Sequence, residues 1–89
     1  MSTIIVNHKV KDYAKWRPIY DADAKRRQTY GFKNTRVYRA ADDPNNIFIV
    51  ADVTDTSLVL KMKDDPDLAA KMAEGGVISE PTISVLNPA

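Results

Sequence analysis

An α+β fold, ordered strand, helix, strand, strand, broken helix, strand, is predicted by three features of this sequence. Tyr13, Trp16, Tyr20, Ala24 and Arg27 recur every three or four residues between Asp12 and Gly31, which places them along one side of a helix. Four short runs rich in β-branched residues surround that segment and a second helical one. The third run, Ile47 to Val53, is apolar on both of its alternating faces, as in a strand covered from both sides.

Thr3 to Val10 reads as the first strand, with Ile4, Val6, His8 and Val10 on one face and Thr3, Ile5, Asn7 and Lys9 on the other. In the helix that follows, Asp12 caps the first turn and Gly31 closes the last in a left-handed conformation. Pro18 removes an N–H and clashes with the preceding turn, predicting a kink or break near Ala14 to Arg17. Thr35 to Ala41 is the second strand, and Asp42-Asp43-Pro44-Asn45-Asn46 is a compact turn leading into the third as an antiparallel hairpin. Asp55, Thr56 and Ser57 offer caps for a second helix through Leu58, Val59, Leu60 and Met62. Asp64 to Asp67 interrupts it, and Asp65 with Pro66 restarts it on a stripe of Leu68 and Met72 until Gly75-Gly76. Thr82 to Leu86 is the last strand. Right-handed crossovers are expected to place the first and third strands parallel and central in a four-stranded, antiparallel-rich sheet with both helices on one face. That is a ferredoxin-like arrangement in a single domain, residues 1–89.

Two helices cover one sheet face only, and the apolar residues of the third strand on the other face require a further cover. A second copy of the chain is the expected one. A standard interface removes roughly 800 Å² per partner, within reach of one sheet face. At about 25 cal/mol per Å², its apolar part contributes several kcal/mol before the cost of association.

With 13 basic and 12 acidic residues the net charge is +1, which is no footprint for nucleic acid or anionic lipid. The third strand also lacks the glycine–aromatic–basic pattern of RNA-binding sheets. The absence of cysteine excludes disulfides, thiolate nucleophiles and cysteine-based metal sites. No apolar run approaches the ~18 residues of a membrane span. The N-terminal Met-Ser-Thr-Ile-Ile-Val-Asn-His has no basic run before an apolar core, so the expectation is a protein without a leader, located in the cytoplasm.

His8, the only histidine, faces the aromatic stripe. It is either a half-buried side chain bonded to a backbone carbonyl or tyrosine, or a general base or donor to a ligand. With no second histidine, no metal site is expected. Arg27 stands where a plain amphipathic helix would carry another apolar residue. It either pairs with Asp23 or points inward to hold an anionic or enolate oxygen. Tyr13, Trp16 and Tyr20 are core, or a flat wall for an aromatic ligand. Asp52 on the third strand needs a partner, with Arg36 or Arg39 across the hairpin as candidates.

The segments His8-x-Val10-x-Asp12-Tyr13-x-x-Trp16, Tyr20-Asp21, Arg27, Gly31 and Val37-Tyr38-Arg39, with Asp42-Asp43-Pro44-Asn45, Pro66-x-Leu68, Met72, Gly75-Gly76-Val77 and Pro81-x-Ile83, resemble the small dimeric α+β-barrel proteins. These are related to antibiotic-biosynthesis monooxygenases and small cyclase-like proteins, and the resemblance runs from Val6 to Leu86. It implies a homodimer whose two sheets face each other, and a pocket between sheet and helices in each subunit. That pocket would collect His8, Trp16, Tyr20, Arg27, Phe48 or its neighbours, and Met62 or Met72. The monooxygenase and haem-degrading branches use an asparagine on the first strand, which Asn7 matches, and a tryptophan on the second helix. Ser57 to Glu74 contains neither tryptophan nor histidine, so no haem or other cofactor is expected. The functional expectation is a cofactor-independent monooxygenase or cyclase acting on an apolar or aromatic molecule. In it His8, Arg27 and Tyr20 are catalytic, and Trp16, Asn7, Tyr13, Phe48, Met62 and Met72 bind the ligand. The alternative is a non-catalytic, ligand-sensing or stress-related dimer.

Overall fold

The computed structural model describes residues 1–89. β1 (Ser2–Lys9), β2 (Phe32–Ala40), β3 (Asp43–Val53) and β4 (Thr82–Leu86) form one sheet in the order β2-β3-β1-β4. Helices α1 (Tyr13–Ala22), α2 (Ala24–Thr29), α3 (Thr56–Lys61) and α4 (Pro66–Glu74) connect them, with a 3₁₀ turn at Met62–Asp64 between α3 and α4. Alternation decides which face is buried. Ile4 and Val6 of β1 and Ile47, Ile49, Ala51 and Val53 of β3 turn toward the helices, where Trp16 and Val59 complete the core with Val10 and Phe32.

The ferredoxin-like order is as expected, but β1 and β3 pair antiparallel, not parallel, in a register that sets Val6 opposite Ile49. The hairpin is the reason. The crossover through α1 and α2 makes β1 and β2 run the same way, and the turn between β2 and β3 reverses the chain before β3 inserts between them. That turn is shorter than Asp42 to Asn46. β3 begins at Asp43 opposite Ala40, leaving only Ala41 and Asp42 outside the strands.

The first helical segment also breaks elsewhere than near Ala14 to Arg17. Asp12 accepts from the Ala14 N–H, and its carbonyl accepts from both Lys15 and Trp16, so the first turn is firmly held. The helix then runs through Pro18 and stops at Ala22. Asp23 leaves helical geometry (φ −96°, ψ 19°) while its N–H bonds back to Tyr20 and its carboxylate engages Arg26. Two glycines stand where a side chain would be strained or crowded. Gly31 ends α2 with φ +80°, as expected. A Cβ on Gly75 would sit 3.0 Å from Trp16 Cδ1, so the end of α4 packs directly on the indole.

Beyond the helix-covered face, Ile5, Phe48 and Val50 are half-buried and Tyr38 and Leu86 are exposed. Asp52 belongs to this open face. It accepts from Thr3 Oγ1 and Asn34 Nδ2, both at 3.1 Å, rather than forming an ion pair with Arg36 or Arg39. Those bonds hold its carboxyl below the usual range, with Arg36 adding a weaker attraction.

Candidate functional site

Between the sheet and the helices lies a cavity of about 310 Å³. Its depth is set by β1 and β3, which present Val6, His8 and Ile49. One wall is α1 and α2, and the opposite rim is α4 with the segment before β4. That volume is at the lower end of small-molecule pockets, and apolar side chains make up most of the lining.

The α1 wall is a continuous stack. His8 meets the Trp16 indole edge-on at 5.6 Å between ring centroids, and Trp16 stacks on Tyr20 at 4.7 Å. The Arg27 guanidinium lies 3.7 Å over the Tyr20 ring. The sequence explains it: these side chains sit on the one stripe of α1 and α2 that faces the sheet, directly opposite the inward face of β1. Each pair adds about 0.5–1.5 kcal/mol to simple burial.

Two polar atoms in this wall are buried with no hydrogen-bond partner, His8 Nδ1 and the Tyr20 hydroxyl. Burial lowers the His8 pKa against a smaller opposing effect of its own backbone, so the imidazole is neutral at pH 7. The Tyr20 pKa is raised by burial, which outweighs the attraction of Arg27 and Arg17, so this group is a phenol and a proton donor. Arg27 donates through Nη1 to the Tyr20 carbonyl at 2.8 Å and makes no ion pair with Asp23. Arg26 takes that carboxylate instead, with Nε 2.9 Å from Asp23 at i,i+3 spacing.

The structure brings together His8, Arg27, Tyr20, Trp16, Met62 and Met72 around the cavity. It does not bring Asn7, Phe48 or Tyr13 there. Asn7 and Phe48 face each other on the open side of the sheet, one residue out of phase with His8 and Ile49. Asn7 Nδ2 donates to Asn46 Oδ1 at 2.8 Å and to the Ile47 carbonyl at 2.9 Å. Tyr13 lies at the other end of the stack, with Arg39 4.0 Å over its ring and its hydroxyl accepting from Arg17.

Sequence reasoning missed the polar cluster at the mouth. Asp65, expected only as a cap for α4, does accept from the Asp67 and Leu68 N–H groups. Its second oxygen accepts from Arg26 Nη1 at 2.6 Å and from the Tyr30 hydroxyl at 2.8 Å. The Tyr30 bond is the main reason its carboxyl sits below the usual range. The Asp23–Arg26 spacing was visible along the chain. The Tyr30–Asp65 contact, 35 residues apart, carried no local signal. No three histidine, cysteine or carboxylate side chains cluster closely enough to hold a metal ion, and no helix is long and apolar enough to cross a membrane.

The site's groups are therefore an unpaired neutral imidazole, a buried phenol and a guanidinium, aligned on an aromatic wall. They can take a proton from a bound molecule and hold the oxygen on which negative charge develops.

No family model and no curated protein matches this sequence. Solved structures do match its fold. A crystal structure of an antibiotic biosynthesis monooxygenase superposes with a TM-score of 0.73 at 11% identity, covering 100% of this chain and 99% of that one. SnoaB, a cofactor-independent oxygenase from Streptomyces nogalater, gives 0.70 at 16% identity, covering 99% of this chain and 94% of its own. A conserved protein from Methanosarcina mazei Go1 gives 0.72 at 10% identity over 99% and 92%. This chain thus has, over its whole length, the ferredoxin-like α+β fold of the antibiotic-biosynthesis-monooxygenase-like structures.

Proposed function

We propose that this protein binds a small apolar or aromatic molecule in the cavity and acts on it without a cofactor, as a monooxygenase or cyclase. The observation that carries this reading is that the two residues with a buried polar atom left without a partner, His8 at Nδ1 and Tyr20 at its hydroxyl, both line one apolar cavity. An unsatisfied buried polar group costs about 1–3 kcal/mol, and a bound molecule that supplies the partner recovers it. His8 then removes a proton from the substrate, and Tyr20 and Arg27 stabilise the resulting enolate. With dioxygen as oxidant a methylene becomes a carbonyl and one water leaves; without it the carbanion adds to a carbonyl carbon of the same molecule, and the alkoxide formed takes the proton back from His8 as the ring closes. The fold shared with SnoaB, a cofactor-independent oxygenase, agrees with this chemistry.

The test has two steps: native mass spectrometry of the purified protein, then a thermal-shift screen across aromatic acids, phenols and quinones. A ligand at a hundred times its Kd stabilises by about 2.7 kcal/mol, readily visible in a 10 kDa protein. The expected result is a retained or stabilising aromatic whose effect is lost in His8→Ala. A screen without a single His8-sensitive hit overturns the reading.

A homodimer through the open sheet face belongs to the same proposal. Ile5, Phe48 and Val50 make an apolar centre on that face, with Tyr38 and Leu86 exposed beside it. The Thr3, Asn34 and Asp52 hydrogen bonds, together with the Asn7–Asn46 pair, satisfy the polar groups around it internally. A self-complementary surface of this kind, apolar at its centre with neutralised polar neighbours, fits a second copy of itself. A non-catalytic dimer would have the same open face but no use for the two orphaned cavity atoms.

A further inference from the structure

The charges around the cavity are not evenly neutralised. Three carboxylates line it, and two of them are already engaged: Asp23 and Asp65 both hold Arg26, and Asp65 also holds Tyr30. Glu80 is exposed. Among the lining cations, Lys63 and Lys71 are exposed, and Lys71 bonds Glu74. Arg27 differs from all of them. It is half-buried against Tyr20, it has no carboxylate within ion-pair distance, and its one hydrogen bond within the protein goes to a backbone carbonyl. A guanidinium carries five N–H donors in a rigid fork, so most of its donors remain unspent. The adjacent Tyr20 hydroxyl is a second unspent donor, and its ring is held between Trp16 and Arg27.

We propose that the molecule bound here is a planar aromatic that enters already carrying one anionic oxygen group, a carboxylate or an acidic enolate. Arg27 and the Tyr20 hydroxyl bind that group at one end of the stacked wall, and the neutral His8 faces the reacting carbon or hydroxyl at the other. This rests on the functional reading above and adds the substrate's charge to it. Arg27 sits in the wall as a cation without a counter-ion, and such a group favours an anion over its neutral isostere. Tyr20 as phenol and His8 as neutral imidazole add no competing charge. The Trp16 indole is 4% exposed and the Tyr20 ring is covered by Trp16 and Arg27, so the ladder offers a ligand its edges, with Arg27 at the Tyr20 end and His8 at the other.

Titration calorimetry at fixed low salt, with naphthoate and naphthamide as a matched pair, tests the substrate charge, and hydroxynaphthoquinone, an enolate at neutral pH, separates the two anion sources. Naphthoate or the enolate is expected to bind at least about tenfold more tightly than the amide, the size of one charge-assisted hydrogen-bonded pair. Whichever anion shows the preference identifies the source. Arg27→Gln should abolish the preference, so that anion and amide bind this variant equally; Arg27→Lys, which keeps the charge but loses the fork, should keep part of the preference. Equal binding of anion and amide to the unaltered protein overturns this inference and leaves the aromatic pocket standing, as does a preference that survives Arg27→Gln. Binding of none of the three removes the pocket reading and the inference together.

Discussion

His8 makes the stability of this protein depend on pH in a way that can be calculated from its surroundings. The imidazole is 4% exposed, and burial lowers its pKa in the folded chain below the ordinary value of 6.5. The unfolded chain therefore takes up a proton that the folded chain refuses. The contribution is constant above pH ~6.5 and is lost progressively as the pH falls below it, until the folded pKa is reached. One proton changes stability by at most about 1.4 kcal/mol per pH unit, so the loss between pH 6.5 and 5 has a ceiling near 2 kcal/mol. Asp52, Asp55 and Asp65, whose pKa values are lowered by hydrogen bonds, lose their contribution only lower, as the pH drops past ~4. The assay is urea unfolding from pH 7.5 to 5 of the native protein and of His8→Phe, which keeps an aromatic edge on Trp16 but cannot titrate. Whichever is the more stable at pH 7.5, the variant should gain on the native protein as the pH falls. Parallel stability curves across that range would refute the picture of a neutral imidazole buried without a partner.

Three other outcomes follow from the same geometry. Trp16→Ala removes a 4% exposed indole that touches His8, Tyr13 and Tyr20 and carries Gly75 on its edge, so chemical denaturation should show a loss of about 3–5 kcal/mol. A loss under about 1 kcal/mol would mean that the indole is not part of the core. Asp65→Ala removes the α4 cap along with the partners of Arg26 and Tyr30, and Asp65→Asn keeps the cap oxygen alone. Thermal unfolding should order them native, Asn, Ala, with the cap alone accounting for about 1 kcal/mol. Phe48→Glu places a charge at the centre of the open face without touching the cavity; sedimentation should show the native chain at twice the variant's mass, and a native single protomer at micromolar concentration would remove the homodimer.

Much of the architecture could be read from periodicity. The stripe Tyr13, Trp16, Tyr20 and Arg27 and the inward face Ile4, Val6 and His8 are both local patterns, and Trp16, Tyr20, Arg27, Val6 and His8 of them line the cavity. Caps were equally legible, since Asp12, Asp55 and Asp65 each bond the N–H groups that begin their helices. Strand direction was not, because it depends on where the chain inserts β3 after the hairpin and not on any residue's own preference. The same holds for partners. Asp23 has an arginine at both i+3 and i+4; it bonds Arg26, while Arg27 lies on Tyr20, a choice the spacing does not make.

Composition and periodicity by themselves determined that this chain folds as an α+β sheet with one aromatic helix stripe packed against a histidine-bearing strand. Those are properties of neighbours along the chain, where side-chain direction follows directly from backbone geometry. Strand alternation likewise sets Asn7 out of phase with His8 and Phe48 out of phase with Ile49, on the far side of the sheet. Only the tertiary structure decided that Asp65 closes on Arg26 and Tyr30, and that His8 Nδ1 and the Tyr20 hydroxyl are left without partners. Hydrogen-bond satisfaction is a property of groups brought together from distant positions, and it becomes defined only once every competitor for a donor or acceptor has been placed.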